Sequence, residues 1–588
     1  MTGESVNRSL GESEKQKNIN RYSPIHLFTI CIAFLILTFA FSASSFAEVA
    51  SSSPQDIYEQ QLDAGLKNNE PYSYVLIKKS RTDPSNARSL LTEALRHSPD
   101  LPAVYFEMSK ASFSLSSKGV FESIGHMVEG FKAYGRNFWW QTSLAGLLFI
   151  SLISSFIIAL FAVICTSFFM EIPLLSHEIK EDKKKALLVL SLIPLSLPGA
   201  LFFIAGALFL LGLYFKKTDK AVVYAAILFL LLSPLFLRMT NIFLSASSPE
   251  LRAVTAVNEN SDNKFALSIL KDKNDFASLF SYGLALKREK RYEESIAVYK
   301  GILSSSPQQI SYTPEVYVNL GNCYVGLNDM AAAKDFYKKA VEIKPLASAY
   351  YNLSQVSRET LDFSKGEEYF LEAVRLDNTL VSGFASISNR TPNRFVIDET
   401  LPTSALWEYA GSRMQRLINL SFAVSTAASI ALLLLFFIID SRMKYRAYRC
   451  KRCNVILCGK CGKEMLWGQM CSLCYKSLVK LEGLDSRLRI AKLLEVQEFQ
   501  NRRKNIIKAL SFAPPGIAHI YSGKILAGIL FLWSFLFFLL LALLNPLFHT
   551  GISLSSHEWL RIPSLILMAA LYLIPNIFIR GRLSRGWL

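Results

Sequence analysis

The sequence predicts a mostly α-helical protein in which transmembrane helices carry a helical-repeat solenoid and a small cysteine-knuckle module. Three observations predict this class. The chain has 588 residues of which 51% are hydrophobic, too apolar for one soluble globule and long enough for several domains. A polar segment in its middle repeats a helical pattern with Gly, Ala and aromatic residues at fixed offsets. Six of its nine cysteines fall in YRCKRCNVILCGKCGKEMLWGQMCSLCY, residues 448–475.

The apolar surplus belongs in lipid. A helix of about 17 to 25 apolar residues crosses a ~30 Å hydrocarbon core. Such runs lie near 144–170, 221–237, 417–439, 525–547 and 560–579, with an N-terminal run at 25–42 and a long one at 186–215. The first run follows Arg21 and leads into Ser45-Phe46-Ala47, so 1–47 reads as a signal peptide or an uncleaved signal anchor. Cys31 is preceded by bulky Ile30, which argues against lipid attachment there.

Charge orients the spans, because Lys and Arg are retained in cytoplasmic loops. Basic clusters occur at Lys180 and Lys183–Lys185, at Lys216, Lys217 and Lys220, from Arg442 to Arg452, and at Arg580, Arg582 and Arg585. The loop 549–558 has neither Lys nor Arg. These signs agree only if 186–215 crosses an even number of times, and Pro194, Pro198 and Gly199 supply a break for a re-entrant hairpin. The competing reading is one long kinked helix. With the hairpin, 48–143 and 238–416 lie outside and 440–508 inside. Of the cysteines, only Cys323 falls in the outer segments, so no disulfide framework is expected there.

Within 245–410 the stretch PEVYVNLGNCYVGLNDMAAAKDFYKKAVEIKP, 314–345, places Tyr317, Leu320, Gly321, Tyr324, Ala333, Tyr337, Ala340 and Pro345 at a recurrent spacing. The preceding unit carries Gly283, Ser295, Tyr299 and Pro307, and the following one Tyr350, Leu353, Gly366, Phe370 and Ala373. Small residues let two antiparallel helices approach, aromatics fill the gaps beside them, and proline stops the second helix. Over 276–380 this resembles the tetratricopeptide repeat family, with a weaker echo at 87–99. The resemblance implies a tetratricopeptide-repeat α-solenoid whose concave face takes a protein or peptide partner. Asn319 and Asn322, polar positions on the first helix of the central unit, are candidate partner-binding residues. Packing against the spans or a second copy is the plainer alternative.

The cysteines 450, 453, 458, 461, 471 and 474 read CxxC-x4-CxxC-x9-CxxC. No histidine occurs between His177 and His519, so any site is all thiolate. Cys450, Cys453, Cys471 and Cys474 form an outer C-x2-C-x17-C-x2-C set suited to a structural zinc. An alternative joins Cys458 and Cys461 to the last pair. Iron–sulfur is a competing occupant, and a redox dithiol at Cys458 and Cys461 a competing use. The string also resembles the second to fourth cysteine pairs of FYVE-type zinc fingers, which implies that the outer pairs share the metal. The first pair of that family is missing, which leaves Cys458 and Cys461 without a partner for a second zinc. So is its basic histidine motif, and no lipid specificity carries over.

The net charge of +17 is concentrated nearby: 440–510 has 17 Lys and Arg against 6 Asp and Glu. Arg442, Lys444, Arg446, Arg449, Lys451 and Arg452 sit beside a span end, where anionic membrane lipid is a better account than nucleic acid. From 481 to 510, Leu481, Leu484, Leu488, Ala491 and Leu494 alternate with Arg487, Arg489, Lys492, Arg502 and Arg503 as on an amphipathic helix, for the membrane surface, a partner or the knuckle itself. APPGIAHIYSGKILAGILFL resembles a short two-span membrane domain through Pro515, Gly516, Tyr521, Gly523 and Gly528, with Ala518 in place of a glycine. Its glycines would permit close helix contact.

No nucleophile, base and oxyanion set is apparent, and no phosphate-binding loop, so no enzyme activity is expected. The whole reads as a multi-pass protein of a bacterial inner membrane. Its external solenoid recruits partners, and a cytoplasmic zinc-knuckle module lies between its membrane halves. A transporter or channel component is the first alternative and a cytoplasmic nucleic-acid or redox sensor the second. No acidic residue lies well inside a span, which argues against an ion pathway.

Overall fold

The computed structural model describes residues 54–63, 65–181, 199–246, 248–261, 266–305, 312–388, 396–412, 421–442, 447–457, 465–466, 470–480, 485–545 and 557–585. The chain divides into two units, 1–57 and 58–588, and apart from the first turn of helix α1 all described architecture lies in the second. The expected leader at 25–42 and the first part of the 186–215 run fall outside the described residues.

The described residues begin with five helices: α1 (Pro54–Asp63), α2 (Glu70–Thr82), α3 (Ala87–His97), α4 (Pro102–Ser112) and α5 (Ser117–Arg136). Asn69 and Ser116 cap α2 and α5, their side-chain oxygens accepting the N–H groups of Tyr72 at 3.2 Å and Gly119 at 3.1 Å, which satisfies amides that the helix leaves unpaired. Leu76, Leu91, Ala94, Leu101, Val104 and Phe106 close a core that also takes Tyr134, Trp139 and Trp140.

Among the described residues, five helices are long and apolar enough to cross a membrane, in α6 (Phe138–Glu181), α8 (Ala221–Ala246), α19 (Phe422–Arg442), α23 (Ile525–Leu544) and α24 (Glu558–Ser584). α6 is longer than its apolar run and continues through Pro173. α7 (Ala200–Gly212) has 13 residues, about 20 Å at the helical rise and too short for a full crossing. It is buried by its neighbours: Phe202, Leu208 and Phe209 share a core with Leu160 and Val163 of α6, Val222 and Val223 of α8, Phe436 of α19, and Ile529 and Leu532 of α23. Outward, Phe161, Phe169, Leu228, Phe437, Ile566, Ile577 and Phe578 are exposed, an apolar belt of the kind lipid covers.

The bundle has two distinct ends. At one, the Glu259 carboxylate accepts the Phe138 N–H at the start of α6, the Ser245 hydroxyl at the end of α8 donates to Ala410 O at 3.0 Å, and His557 before α24 lies 2.8 Å from Tyr134 Oη. At the other, Lys220 before α8 pairs with Asp440 near the end of α19, the Arg449 guanidinium donates to Met170 O of α6 at 2.6 Å, Leu526 N–H donates to Asp219 at 2.9 Å, and Arg580 of α24 donates to Ser511 at 2.9 Å. The last part of α6 and the start of α8 therefore lie at the same end, and α7 packs among the long helices.

Between α8 and α19 the chain builds the solenoid: α9 (Pro249–Asn258), α10 (Ala266–Leu270), α11 (Phe276–Arg288), α12 (Tyr292–Ser305), α13 (Thr313–Gly326), α14 (Met330–Ile343), α15 (Ala347–Glu359), α16 (Phe363–Leu376) and α17 (Asn378–Ser388), followed by α18 (Thr403–Ser412). The expected helix pairs are present. A Cβ on Gly321 would stand 2.5 Å from the Tyr337 ring and one on Gly283 2.8 Å from Tyr299, so glycine in the first helix makes room for the buried aromatic of the second. In the C-terminal hairpin Gly516 has φ +99° and a Cβ there would meet Gly528 O at 2.1 Å. Backbone meets backbone at that point, which glycine alone permits.

Burial raises the Glu259 carboxyl from 4.5 to about 8, the hydrogen bonds from Phe138 and Trp139 opposing, and Glu70, beside Trp140, is raised by burial to about 7. A folded-state value above the unfolded one means that the protonated form stabilises the fold. That contribution is complete below about pH 4.5 and is lost as pH rises through about 8. Thermal scans of the protein in detergent across this window are expected to show a falling midpoint, and Glu259→Gln, which mimics the protonated acid, a shallower fall.

Candidate functional site

Two places concentrate polar chemistry, the cysteine knuckle and the solenoid groove. In the knuckle, β1 (Tyr448–Arg449) pairs antiparallel with β2 (Ile456–Leu457), and β3 (Met465–Leu466) with β4 (Met470–Cys471). Cys450 and Cys453 occupy the first turn, closed by Cys450 N–H to Val455 O and Asn454 N–H to Cys450 O, both 2.9 Å, with Asn454 at φ +64°. Cys471 ends β4 and Cys474 lies in the short helix α20 (Ser472–Tyr475).

The sulfurs of Cys450, Cys453, Cys471 and Cys474 lie within 4.8 Å of one another and all four residues are buried. Cys453 Sγ and Cys471 Sγ are 3.8 Å apart. A tetrahedral ion with metal–sulfur bonds of about 2.3 Å requires sulfur edges of about 3.8 Å, so the set fits one thiolate-bound metal ion. Backbone groups prepare it. Cys471 N–H and Cys474 N–H approach Cys450 Sγ and Cys471 Sγ, each at 3.4 Å. Burial raises the Cys450 thiol, but the amides of Cys453, Cys471 and Arg452 outweigh it and bring it down to about 7. Burial and the neighbouring cysteines push Cys474 well up, so four thiolates without a cation are unfavourable together. Cys458 and Cys461 lie outside the described residues.

The knuckle is braced on two sides. Arg449 reaches Met170 O, and the long helix α21 (Ser486–Leu510) lends Val496 to the cysteine core and Gln500 to Lys451 O and Arg452 O at 3.2 and 2.9 Å. α21 thus packs on the knuckle with one face, while Leu488, Ile490 and Leu494 remain exposed. Its far end sets Ile507 against Ala518 and Ile579 of the C-terminal hairpin, which also contains α22 (Ile517–Tyr521).

The groove is filled by the chain itself. Residues 396–402, between α17 and α18, have no regular secondary structure and lie along first helices of the repeats. Asn352 Oδ1 accepts Ile397 N–H at 2.7 Å, and Ile397 O accepts from Asn322 and Asn352 at 2.8 and 2.9 Å. Asn319 brackets Glu399, donating to its carbonyl and accepting its N–H at 2.9 Å each. Asn258 accepts Leu401 N–H at 2.7 Å. Lys287 and Asn322 donate to Asp398 Oδ1 at 2.7 and 2.9 Å, and the Ser348 hydroxyl donates to Glu399.

Asn319 and Asn322, singled out from the sequence, therefore face the groove and grip this segment. Asn352 and Asn258 were missed. The signal for Asn352 was present, since the Asn-Leu pair of 319–320 recurs at 352–353 in the next repeat. Asn258 precedes the repeats and its role emerges only from the fold, where its side chain is held by Val254 O and Ser281 Oγ, both at 2.8 Å.

A serine–histidine contact also escaped sequence reading: Ser143 Oγ is 2.9 Å from His557 Nε2, whose Nδ1 is 2.8 Å from Tyr134 Oη. Ser143 and His557 are both buried, and Trp559 Nε1 donates to Tyr134 Oη at 2.8 Å. These bonds join α5, α6 and the start of α24.

The tetratricopeptide repeat family model matches residues 276–309, 314–345 and 347–380. The solenoid is built of tetratricopeptide repeats. Each matched stretch is one helix pair, α11–α12, α13–α14 and α15–α16, and the groove asparagines 319, 322 and 352 all stand on the first helix of a repeat. Comparison with characterised proteins finds no match to the chain.

Asn352→Ala removes two hydrogen bonds to Ile397 and one to Asn322, each worth about 0.5–1.5 kcal/mol net. Hydrogen exchange followed by mass spectrometry is expected to show faster exchange across 396–401 with little change in the matched helices.

Proposed function

We propose that the chain is a membrane-anchored scaffold that binds protein or peptide partners through its repeat solenoid, with a structural zinc in the cysteine knuckle. One observation carries this reading. A three-repeat solenoid of a family that serves protein–protein contact is inserted between two apolar helices, α8 and α19, so both its ends are anchored. Tetratricopeptide repeats bury their cores between neighbouring units and leave an extended concave surface for contact.

The repeats would stand on the outer face of a bacterial cytoplasmic membrane and the knuckle on the inner face. Supporting this, α19 is the single span between them, and the basic residues from Arg442 onward cluster at its knuckle end. Zinc is the metal best suited to four thiolates on two knuckles. A closed four-thiolate site leaves no coordination position for water, so its role would be to hold the fold rather than to catalyse. Arg449 is engaged by Met170 O, and the remaining basic side chains meet lipid headgroups more naturally than nucleic acid.

The test is photo-crosslinking in intact cells from probes in the solenoid of the full chain. A defined protein captured there and not from lipid-facing positions of α24 supports the scaffold, and capture no greater than that control sinks it. Orientation is read in the same cells with a membrane-impermeant thiol reagent: Glu368→Cys on α16 should label and Arg487→Cys on α21 should not. Purified protein should carry about one zinc per chain by elemental analysis. Cys471→Ser should lower that content severalfold and speed proteolysis between 447 and 480.

A further inference from the structure

The way residues 397–401 lie in the groove says what the groove selects. The backbone N–H groups gripped are those of alternate residues, 397, 399 and 401. A carboxamide carries a donor and an acceptor side by side, so one asparagine can take both the N–H and the C=O of a single residue, as Asn319 does for Glu399 and Asn352 for Ile397. These contacts read the backbone and are indifferent to side chain.

Selectivity comes from the side chains, of which Glu399 takes the Ser348 hydroxyl. Ile397 is 5% exposed and packs with Tyr351, Ala373, Val381 and Phe384. Leu401 is 4% exposed in the solenoid's main core. Between them Lys287, itself mostly buried, holds the Asp398 carboxylate. The asparagines are held by the protein as well as by the segment, with Tyr337 Oη donating to Asn322 Oδ1 at 2.6 Å and Asn352 donating to the same atom at 3.0 Å.

We propose that residues 397–401 are a tethered ligand. The partner that uses the groove is then a protein with an extended segment of the same chemistry: an aliphatic residue, an acidic one directly after it, and a second aliphatic residue four positions after the first. This rests on the scaffold reading and adds to it a competition. A tether as short as the turn into α18 holds its segment at an effective concentration of the order of millimolar, so a partner must match the pattern or be presented at high local density. Release of 396–402 would uncover the groove asparagines while α18 stays held by Ser245 and Ser278.

The experiment uses the full chain in detergent micelles and a fluorescein-labelled peptide of residues 394–403, RFVIDETLPT. With the tethered segment weakened by Ile397→Ser and Asp398→Ser, the peptide should bind at least about ten-fold tighter than to the unaltered protein. Adding Asn319→Ala and Asn352→Ala should abolish that binding, and a peptide with lysine in place of Asp398 should bind poorly. No gain in a variant that keeps its helical content overturns the proposal.

If the weakened variant does not fold, the unaltered protein decides. Excess unlabelled peptide at millimolar concentration should raise hydrogen exchange across 396–401, and unchanged exchange overturns the proposal. Crosslinked partners mapping to the convex face, together with a groove that never exchanges its occupant, would leave the scaffold standing and remove this inference alone.

Discussion

Long apolar helices organise the molecule, of a length and composition suited to hydrocarbon, which accepts no unpaired peptide group. Each long apolar stretch satisfies its backbone as a helix and must deliver its polar flanks to one end of the bundle or the other. The ends are then tied by a few specific bonds: Glu259 to the first turn of α6 and Ser245 to α18 at one, Lys220 to Asp440 and Arg449 to Met170 at the other. Solenoid and knuckle are held apart by helices whose ends these bonds place. The short helix α7 fits because its neighbours bury it rather than because it crosses.

Both polar modules are consequently wired into the same helices. The solenoid begins where α8 ends and finishes through α18 into α19, and the knuckle follows α19 directly. The knuckle leans on α6 through Arg449 and on α21 through Val496 and Gln500, while α21 reaches the C-terminal hairpin through Ile507. The groove segment is therefore joined to the metal-type site through α18 and the whole length of α19, and the knuckle bears on α6 directly and on the hairpin through α21.

The repeats were legible because their constraint is local. Gly321 and Tyr337, or Gly283 and Tyr299, lie one helix hairpin apart, and the need for a small residue opposite a buried ring is written at a fixed spacing. The outer cysteine set was legible for the same reason, since each knuckle is a single turn and ligand chemistry limits which residues serve. Less legible was α21. Its leucines are spaced as for an apolar face, yet Leu488 and Leu494 are exposed and the buried contacts are Val496 and Ile507. What it packs against is set by the knuckle and the hairpin, not by its own periodicity.

By itself the sequence determined the helical class, the apolar spans, the repeats, the sign of charge at each span end and the candidate ligands Cys450, Cys453, Cys471 and Cys474. These follow from period, length and residue chemistry within short windows. Only the tertiary structure decided which groups meet across long separations. Residues 397–401 occupy the groove of Asn319, Asn322 and Asn352, Asn258 joins them from outside the repeats, and Ser143 and His557 come together 414 positions apart. Such contacts depend on how the whole chain closes upon itself. No local pattern encodes them, because a backbone amide offers every asparagine the same partner until packing chooses one.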